Sequence, residues 1–306
     1  MKNRIYFNEV VTRDGFQMEP EFVPTDDKVA LINALSACGY AKIEVTSFVS
    51  PKAIPMLRDA DEVMGRIQRV PGVEYTVLVP NMRGAERAFE ARADELNLVM
   101  SMSQSHNQAN LRMTMEQSFA ALSDIINRAE GLAAINISLS CAFGCPMEGD
   151  VPETVVLEHA QRFADVGVRG VTVCDTTGMA HPAQVKRMAE LLQQHFDQLQ
   201  LTLHFHNTRG MGLANVLAAA QSGITRFDGS LGGLGGCPYA PGASGNVCSE
   251  DAIHMLDAMG YDTGMDVDKL LELARQLPQI VGHAVPGQVA KAGRITELHP
   301  APVARI

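Results

Sequence analysis

The sequence has no tryptophan and few other aromatic residues, with 5 tyrosines and 11 phenylalanines among its 306 residues. Acidic residues outnumber basic ones, and the net charge is −10. Proteins that bind nucleic acids normally present a basic surface and aromatic side chains on which bases stack. Because both features are missing, we expect no nucleic-acid partner.

Long apolar runs are missing as well. No stretch approaches the length needed to span a bilayer, and the first residues, MKNRIYFNEVV, place an acidic residue inside a short apolar run. We therefore expect a cytoplasmic protein with no membrane partner. The 6 cysteines include no C-x-x-C pair, which argues against a zinc ribbon and, in a chain of this length, against a disulfide framework.

What the sequence does contain is a regular alternation of two patterns. Short runs rich in β-branched residues are followed by longer segments with apolar residues at three- and four-residue spacing, typical of helices. The predicted strands are 6–11, 42–48, 74–80, 95–101, 136–141, 170–175, 201–206 and 224–230. Alternating strands and helices indicate a parallel sheet, and eight such units in roughly 250 residues are typical of a TIM barrel.

An open, doubly wound sheet is the alternative for this pattern. Such a sheet usually has a glycine-rich phosphate-binding turn after its first strand. Here the first strand is followed by TRDGFQ, and neither G-x-G-x-x-G nor G-x-x-x-x-G-K-[ST] occurs between a strand and a helix. We therefore predict an α/β fold, a TIM (β/α)8 barrel with a short C-terminal helical extension.

No linker divides the chain. We expect residues 1–283 to form the catalytic barrel domain, including an added helix over 266–282. Residues 284–306 are expected to form an irregular C-terminal tail.

Polar residues follow several of the predicted strands, where the catalytic groups of a TIM barrel lie. His204 and His206 are two residues apart in strand 7, so their side chains point to the same face. They are either two separately hydrogen-bonded histidines or a pair of metal ligands. Barrel closure makes strands 7, 8 and 1 neighbours and favours the second interpretation, because it brings Asp14 and Asn246 beside them. Such a mixed nitrogen and oxygen set suits Mg²⁺, Mn²⁺ or Co²⁺, and Zn²⁺ less clearly.

The other candidates at this end of the barrel have two interpretations each. Arg13 is either a surface charge or a group that stabilises an oxyanion. Glu44 and Asp175 are either catalytic carboxylates or structural partners for that arginine. Cys237, in the loop GLGGCPYAPGASGN, is a proton donor, a nucleophile or a thiol without a role.

These residues lie in motifs that resemble a known family. RDGFQ, IEVTSFVSPKAIP, SCAFGCPMEG, HFHNT and GLGGCPYAPGASGN resemble the 3-hydroxy-3-methylglutaryl-CoA lyases, metal-dependent lyases built on TIM barrels. The resemblance runs from about residue 5 to about residue 282, and the glycine-rich cysteine loop is its most specific motif. Isopropylmalate-synthase-like enzymes share RDG and HxHN but not that loop.

The resemblance implies a role for each matching residue. Asp14, His204, His206 and Asn246 match the family's metal ligands, and Mg²⁺ or Mn²⁺ is the expected cofactor, with Co²⁺ or Zn²⁺ as alternatives. Arg13 and Cys237 match its catalytic arginine and cysteine, and Glu44 and Asp175 match its supporting acidic residues. His204 is also expected to take part in catalysis. The resemblance further implies a CoA thioester as substrate, and we expect a homo-oligomer, either a dimer or a tetramer.

The sequence departs from the family at several positions. Phe16, Pro20, Asn207 and Arg209 replace more usual residues, and the segment 101–113 also differs. We expect these positions to affect which acyl group is accepted. Arg209 either binds CoA phosphates, binds a substrate carboxylate, or is a surface charge.

Three functions are consistent with these observations. The first is a lyase that cleaves 3-hydroxy-3-methylglutaryl-CoA or a relative such as citramalyl-CoA to an acyl-CoA and a keto acid. The second is an acyl-CoA condensing synthase of the same barrel group, which would not explain the loop around Cys237. The third is a barrel without enzymatic activity, against which the full set of metal ligands argues.

Overall fold

The computed structural model describes residues 4–236 and 245–298. In these ranges eight parallel strands follow one another in chain order, and β8 pairs with β1 to close a barrel. The predicted TIM barrel is therefore confirmed. The strands are β1 (Tyr6–Glu9), β2 (Lys42–Ser47), β3 (Glu74–Leu78), β4 (Glu95–Ser101), β5 (Ala134–Ser140), β6 (Gly170–Asp175), β7 (Gln200–Phe205) and β8 (Arg226–Gly229).

Helices surround the barrel and connect successive strands. None of them, in the described part of the chain, is long and apolar enough to cross a membrane. The α-helices are α1 (Thr25–Leu35), α2 (Ala60–Arg66), α3 (Met82–Glu90), α4 (Gln104–Leu111), α5 (Met115–Arg128), α6 (Glu153–Val166), α7 (Pro182–His195), α8 (Gly212–Gln221), α9 (Ser249–Ala258), α10 (Val267–Val281) and α11 (Val289–Ala292).

Local sequence signals account for the helix boundaries. Helix α5 begins with a capping box, in which Thr114 Oγ1 accepts from the Gln117 backbone N–H and Gln117 Oε1 accepts from the Thr114 backbone N–H. Helix α6 ends at Gly167, whose positive φ of 102° is the left-handed conformation that glycine adopts without strain. Such signals determine where each helix begins and ends, and the apolar faces of these helices then pack against the barrel.

The register of the last strands determines which residues meet at the barrel mouth. His204 on β7 is paired with Asp228 on β8, and Glu9 at the end of β1 is paired with Gly229. The C-terminal ends of β1, β7 and β8 are therefore adjacent, although β1 and β8 are more than two hundred residues apart in the sequence.

The helix predicted over 266–282 is confirmed by α10, but the segment expected to be an irregular tail contains the short helix α11. Asp251 explains this helix, because its carboxylate accepts the backbone N–H groups of Gln288 and Val289, two donors of the first turn. This cap comes from α9, so the local sequence does not reveal it. The division of the chain at residue 283 stays a prediction.

Candidate active site

A π-helical turn at Val11–Gly15 carries the first two candidate residues, Arg13 and Asp14, out of β1. The backbone N–H groups of Asp14 and Gly15 both donate to the carbonyl of Val10, which tightens the turn. Thr12 Oγ1 donates to the backbone carbonyl of Glu44 and ties the turn to β2. The turn therefore holds both charged side chains against the barrel mouth.

Arg13 is fixed by two carboxylates. Its Nε donates to Glu44 Oε2 at 2.5 Å and its Nη1 donates to Asp14 Oδ1 at 2.6 Å. Burial opposes ionisation of the Asp14 carboxyl, but the guanidinium and two nearby imidazoles outweigh it and lower the pKa of Asp14 to about 2. Asp14 is thus a permanent anion at neutral pH, and Glu44 is a structural partner of the arginine.

The two histidines converge on Asp14 as the alternation of β7 predicts. The Nε2 atoms of His204 and His206 are 3.1 Å apart, and they lie 4.0 Å and 3.9 Å from Asp14 Oδ2. Burial and the neighbouring His204 lower the pKa of His206 to about 3, so its ring is neutral. A neutral imidazole whose nitrogen faces a carboxylate is suited to bind a cation.

Asn246 reaches this group because the chain returns to β7 after the glycine-rich loop. The backbone N–H of Asn207 donates to the carbonyl of Gly245, and Asn246 Nδ2 donates to Asp14 Oδ2 at 2.8 Å. The close packing requires glycine at two positions with positive φ. A Cβ on Gly235 would lie 2.4 Å from Asn246 Nδ2, and one on Gly245 would lie 2.1 Å from the carbonyl of Gly233.

These four side chains fit a divalent metal. Ligand atoms of Asp14, His204 and His206 all lie within 4.8 Å of one another. Asn246 Oδ1 is buried and has no hydrogen-bond partner among the described residues, which is costly unless a ligand satisfies it. One carboxylate, two imidazoles and an amide oxygen form a donor set suited to Mg²⁺ or Mn²⁺.

A second group has side chains of metal-ligand type: Cys248, Glu250 and Asp251. Most of its carboxylate oxygens accept hydrogen bonds from the backbone. Asp251 accepts the backbone N–H groups at the start of α11, and Glu250 Oε2 accepts the backbone N–H of Gly232. Burial raises the pKa of Glu250 to about 7, which further weakens it as a ligand. Glu250 Oε1 has no hydrogen-bond partner among the described residues, whereas the other carboxylate oxygens of the group hold the turn after β8 and the start of α11.

The sequence interpretation missed Asp228, which supports one histidine. Its Oδ2 lies 3.1 Å from His204 Nδ1, and its Oδ1 accepts from Asn8 Nδ2 at 2.8 Å. Against the effect of burial, this carboxylate raises the pKa of His204. A carboxylate that accepts the Nδ1 proton of His204 leaves the Nε2 lone pair free, on the side that faces Asp14 and His206. The position of Asp228 at the end of a barrel strand is a signal that could have revealed it.

Replacing Asp228 with asparagine should weaken metal binding. Without a carboxylate at Nδ1, the tautomer of His204 with a free Nε2 is less favoured, and we expect a loss of about 10- to 100-fold in Mn²⁺ affinity. Titration calorimetry on the folded variant measures this loss. Asp94→Asn is the control, because that carboxylate accepts the backbone N–H of Tyr75 and does not line the cavity. Equal Mn²⁺ affinity in the wild type and Asp228→Asn would contradict the support role.

Glu9 is a second residue that the sequence interpretation missed, and it lies beneath the site. Its Oε1 accepts the backbone N–H groups of Val11 and Leu231, both at 2.9 Å. Its Oε2 accepts the hydroxyls of Tyr40 and Ser249. One buried carboxyl thus joins the turn that carries Arg13 to the turn that begins the loop after β8.

Glu9→Gln should stabilise the protein at high pH. Burial outweighs the four hydrogen bonds and raises the pKa of Glu9 from 4.5 to about 7. Ionisation is therefore less favourable in the folded state. The resulting penalty is absent below pH 4.5, grows as the pH rises to about 7, and is constant above that; it amounts to at most about 3 kcal/mol.

Urea unfolding of both proteins at pH 5 and pH 8 tests this expectation. The free energy of unfolding of Glu9→Gln, relative to wild type, should increase between the two values. The hydroxyls of Tyr40 and Ser249 can reverse and accept from the new amide, so the network can be retained. A difference that is the same at pH 5 and pH 8 would refute the assignment of the raised pKa.

A cavity of about 550 Å³ opens beside this group of residues. Its lining includes Arg13, Asp14 and both histidines, together with apolar residues after β2 and β3. From the unusual segment 101–113, it is lined by His106, Asn110 and Leu111. A volume of this size can hold a small acyl group and part of a carrier.

The other departures from the family lie elsewhere. Phe16 is buried in the core, Pro20 is exposed, and Asn207 Oδ1 accepts the backbone N–H of Gly212 at the start of α8. None of them is among the described residues that line the cavity, whereas Gln17 and Met18 are. These three side chains are therefore outside the lining of the described cavity, and their effect on the choice of substrate stays a prediction.

Asp175 and Arg209 are near the mouth but outside the lining of the cavity. Asp175 Oδ1 accepts the backbone N–H groups of Met179 and Ala180, and it does not contact Arg13 as one interpretation proposed. Burial raises the pKa of Asp175 to about 6. Arg209 Nη1 donates to the carbonyls of Thr177 and Gly178. These contacts do not test its role in CoA binding, which stays a prediction.

Cys237 lies outside the described residues, and its predicted role in catalysis stays a prediction. The preceding residue, Gly236, lines the cavity. The described chain therefore reaches the cavity at Gly236.

The fold and this site together define a class of protein. A closed (β/α)8 barrel that gathers an arginine, an aspartate and two histidines at the ends of its strands is a barrel enzyme with a candidate divalent-metal centre. The HMGL-like protein family matches residues 4–277, and the chain belongs to this family. The family implies a divalent metal, in agreement with the side chains gathered here.

Three similar proteins are all named as hydroxymethylglutaryl-CoA lyases. The hydroxymethylglutaryl-CoA lyase YngG of Bacillus subtilis is 44% identical over 93% of this chain and 96% of its own length. The mitochondrial hydroxymethylglutaryl-CoA lyase of Homo sapiens is 39% identical over 95% of this chain and 90% of its own. The solved structure of an HMG-CoA lyase from A. baumannii, in complex with coenzyme A and 3-methylmalate, is 52% identical, covers 97% and 98% of the two chains and has a TM-score of 0.94. The predicted enzyme class, a carbon–carbon lyase, is confirmed.

Proposed function

We propose that this protein cleaves 3-hydroxy-3-methylglutaryl-CoA, or a close relative, to an acyl-CoA such as acetyl-CoA and a keto acid. The observation that carries the proposal is the convergence of Arg13 with Asp14, His204 and His206 on one cavity. The relatives named as hydroxymethylglutaryl-CoA lyases support the same reaction.

Asp14, His204, His206 and Asn246 would hold the divalent metal, and Mg²⁺ or Mn²⁺ fits the donor set best. When bound, such a cation supplies a Lewis acid that acidifies an alcohol. The protein keeps these ligands ready, because Arg13 holds Asp14 ionised and burial keeps His206 neutral. Asp228 holds the ring of His204 in place.

The reaction is a retro-Claisen cleavage. The 3-hydroxyl gives its proton to a base of the site, for which His204 is the proposed acceptor. The bond between C2 and C3 breaks, C3 becomes a ketone, and the electron pair moves to the thioester as an enolate. Arg13 is fixed at Nε and Nη1 and faces the cavity, so it can hold the thioester oxygen while negative charge develops there. Because the guanidinium is held before substrate binds, little reorganisation is needed in the transition state.

The enolate carbon must then be protonated. Cys237 is proposed as the proton donor, since the adjacent Gly236 lines the cavity and the residue matches the catalytic cysteine of the family. A histidine of the site is the alternative donor. The loop around Cys237 would cover the substrate, because its glycines permit close approach of the backbone.

A second candidate substrate is the CoA thioester of a shorter hydroxy acid, such as citramalyl-CoA. The structure from A. baumannii binds 3-methylmalate, which is an isomer of citramalate, together with coenzyme A. The cavity of this chain is lined by His106 and Asn110 from the segment that departs from the family. Polar side chains at the acyl group would favour a compact, polar substituent.

Measurement of kcat/KM across a panel of 3-hydroxyacyl-CoA thioesters tests the proposal. The purified protein with Mg²⁺ or Mn²⁺ is expected to release free acyl-CoA and a keto acid from at least one member. A wide margin in favour of 3-hydroxy-3-methylglutaryl-CoA would show that the departures from the family do not change the choice of substrate. Cleavage of a free hydroxy acid without any CoA thioester would refute the proposal, and condensation as the only activity would assign the synthase.

The proposal extends to the form of the protein in the cell. A homo-oligomer, either a dimer or a tetramer, located in the cytoplasm is expected. Light scattering after size-exclusion chromatography measures the first, and fractionation of cells measures the second.

A further inference from the structure

A line of hydrogen-bonded side chains crosses the barrel interior from β6 to β2. Asn136 Nδ2 donates to Thr172 Oγ1 and to Asn97 Oδ1, both at 2.9 Å. Ser138 Oγ also donates to Asn97 Oδ1 at 2.9 Å, and Asn97 Nδ2 donates to Glu44 Oε1 at 2.8 Å. We call these five residues the polar ladder.

The barrel geometry explains how the ladder reaches Glu44. Asn97 lies on β4 and Glu44 on β2, with β3 between them. In a barrel of this type, the inward side chains of alternate strands lie in one layer and contact each other. Asn97 therefore reaches the carboxylate of Glu44 although their strands are not hydrogen-bonded.

The ladder leaves the amide of Asn97 one orientation. Its Oδ1 faces two donors, Asn136 Nδ2 and Ser138 Oγ, so its Nδ2 must point towards Glu44. A reversed amide would place Asn97 Nδ2 against the donor Asn136 Nδ2. It would also place Asn97 Oδ1 against the Glu44 carboxylate, which is an acceptor. The Asn97 amide is thus held in this orientation from both sides, by Asn136 and Ser138 on one side and by the Glu44 carboxylate on the other.

Glu44 transmits this constraint to Arg13. One carboxylate oxygen accepts from Asn97 and the other accepts from Arg13 Nε. Glu44 is 2% exposed, so no solvent replaces a lost partner on either oxygen without a rearrangement. The orientation of the Arg13 guanidinium therefore depends on the Glu44 carboxylate, whose other oxygen, Oε1, is held by Asn97.

We propose that Asn97 is a positioning residue for Arg13, acting through Glu44. The inference rests on the proposed role of Arg13 in lyase catalysis. Two other roles are open to Asn97, because it also lines the cavity. It could contact substrate directly, or it could serve only the packing of the barrel.

The variant Asn97→Leu keeps the approximate volume and removes the donor to Glu44. A misplaced catalytic group can cost about 100-fold in rate, and we expect kcat to fall by about 10- to 100-fold with KM nearly unchanged. Leu98→Ile is the matched control, because Leu98 lies on the same strand, is buried in the core and does not line the cavity. It should keep a kcat close to that of the wild type.

A double-mutant cycle separates positioning from packing. In the Glu44→Gln background the connection to Arg13 is already altered, so Asn97→Leu should reduce kcat far less than it does in the wild type. An equal reduction in both backgrounds would overturn the proposal, as would a loss found entirely in KM, which indicates substrate contact. If Asn97→Leu does not fold, Asn97→Ser removes the same donor with a smaller polar side chain.

A crystal structure of the Asn97 variant gives a result that does not depend on activity. The Glu44 carboxylate is expected to turn away from Arg13 Nε, and an unmoved pair would overturn the proposal. Failure of the lyase function would appear differently, as a wild-type protein that cleaves none of the thioesters. The two failures are therefore distinguishable.

Discussion

Chelation of divalent metal is expected to abolish turnover, and addition of Mg²⁺ or Mn²⁺ to restore it. The reason is the state of three of the four candidate ligands: Asp14 is ionised, His206 is neutral, and Asn246 Oδ1 is buried without a partner among the described residues. Such a group is stabilised by a cation and has no other evident purpose. Assays after treatment with chelator and after reconstitution measure the effect.

Removal of one ligand should reproduce the effect of chelation. His204→Ala is expected to bind Mn²⁺ weakly by titration calorimetry while keeping the circular dichroism of a folded barrel. His195→Ala is the control, because that histidine lies at the end of α7, away from the cavity, and should leave the affinity unchanged. Full activity in excess chelator, with no metal found by elemental analysis, would disprove the role of the metal.

Replacement of Cys237 with alanine or serine should lower kcat by about 10²- to 10⁴-fold, the usual contribution of a positioned acid or base, which corresponds to roughly 3–5 kcal/mol of barrier. The residue directly follows Gly236, which lines the cavity, so its thiol is expected to act on the substrate. Steady-state kinetics measures kcat.

The fold should not depend on this thiol. Thermal unfolding of the Cys237 variants is expected to match that of the wild type. Cys38→Ala is the comparison, since the Cys38 thiol is buried at the end of α1 and donates to the backbone carbonyl of Ala34; it should lower stability and leave kcat unchanged. An unchanged kcat in Cys237→Ala would exclude a chemical role for the cysteine.

The sequence predicts the barrel well because its signals are local. All eight predicted strands are present, and β4 and β6 have the predicted boundaries. The strand predicted over 224–230 is shorter in the structure, since only Arg226–Gly229 pairs with its neighbours. Helix α11 was not predicted because the carboxylate that caps it lies 37 residues earlier in α9.

In the candidate site, too, residues with local sequence signals could be predicted and residues that depend on distant partners could not. Arg13, Asp14, His204 and Asn246 could be predicted from their places at the ends of strands and from motifs. Asp228 also lies near the end of a strand and could have been noticed, but its contact with His204 and the roles of Glu9 and Asn97 depend on partners in other strands. Asn97 is separated from Glu44 by 53 residues, and Glu9 is separated from Leu231 by 222. Buried hydrogen bonds of this kind become visible only when the register of the strands is known.

The contact between Asp14 and Asn246 joins residues 232 positions apart, and it exists only because β8 pairs with β1. Asp14 therefore joins the other three metal ligands only when the pairing of β8 with β1 closes the barrel. A partly folded chain that has formed β2 to β6 contains none of them in place. Cation binding should then favour the closed form over every open intermediate, so that metal uptake during refolding would report the moment of closure.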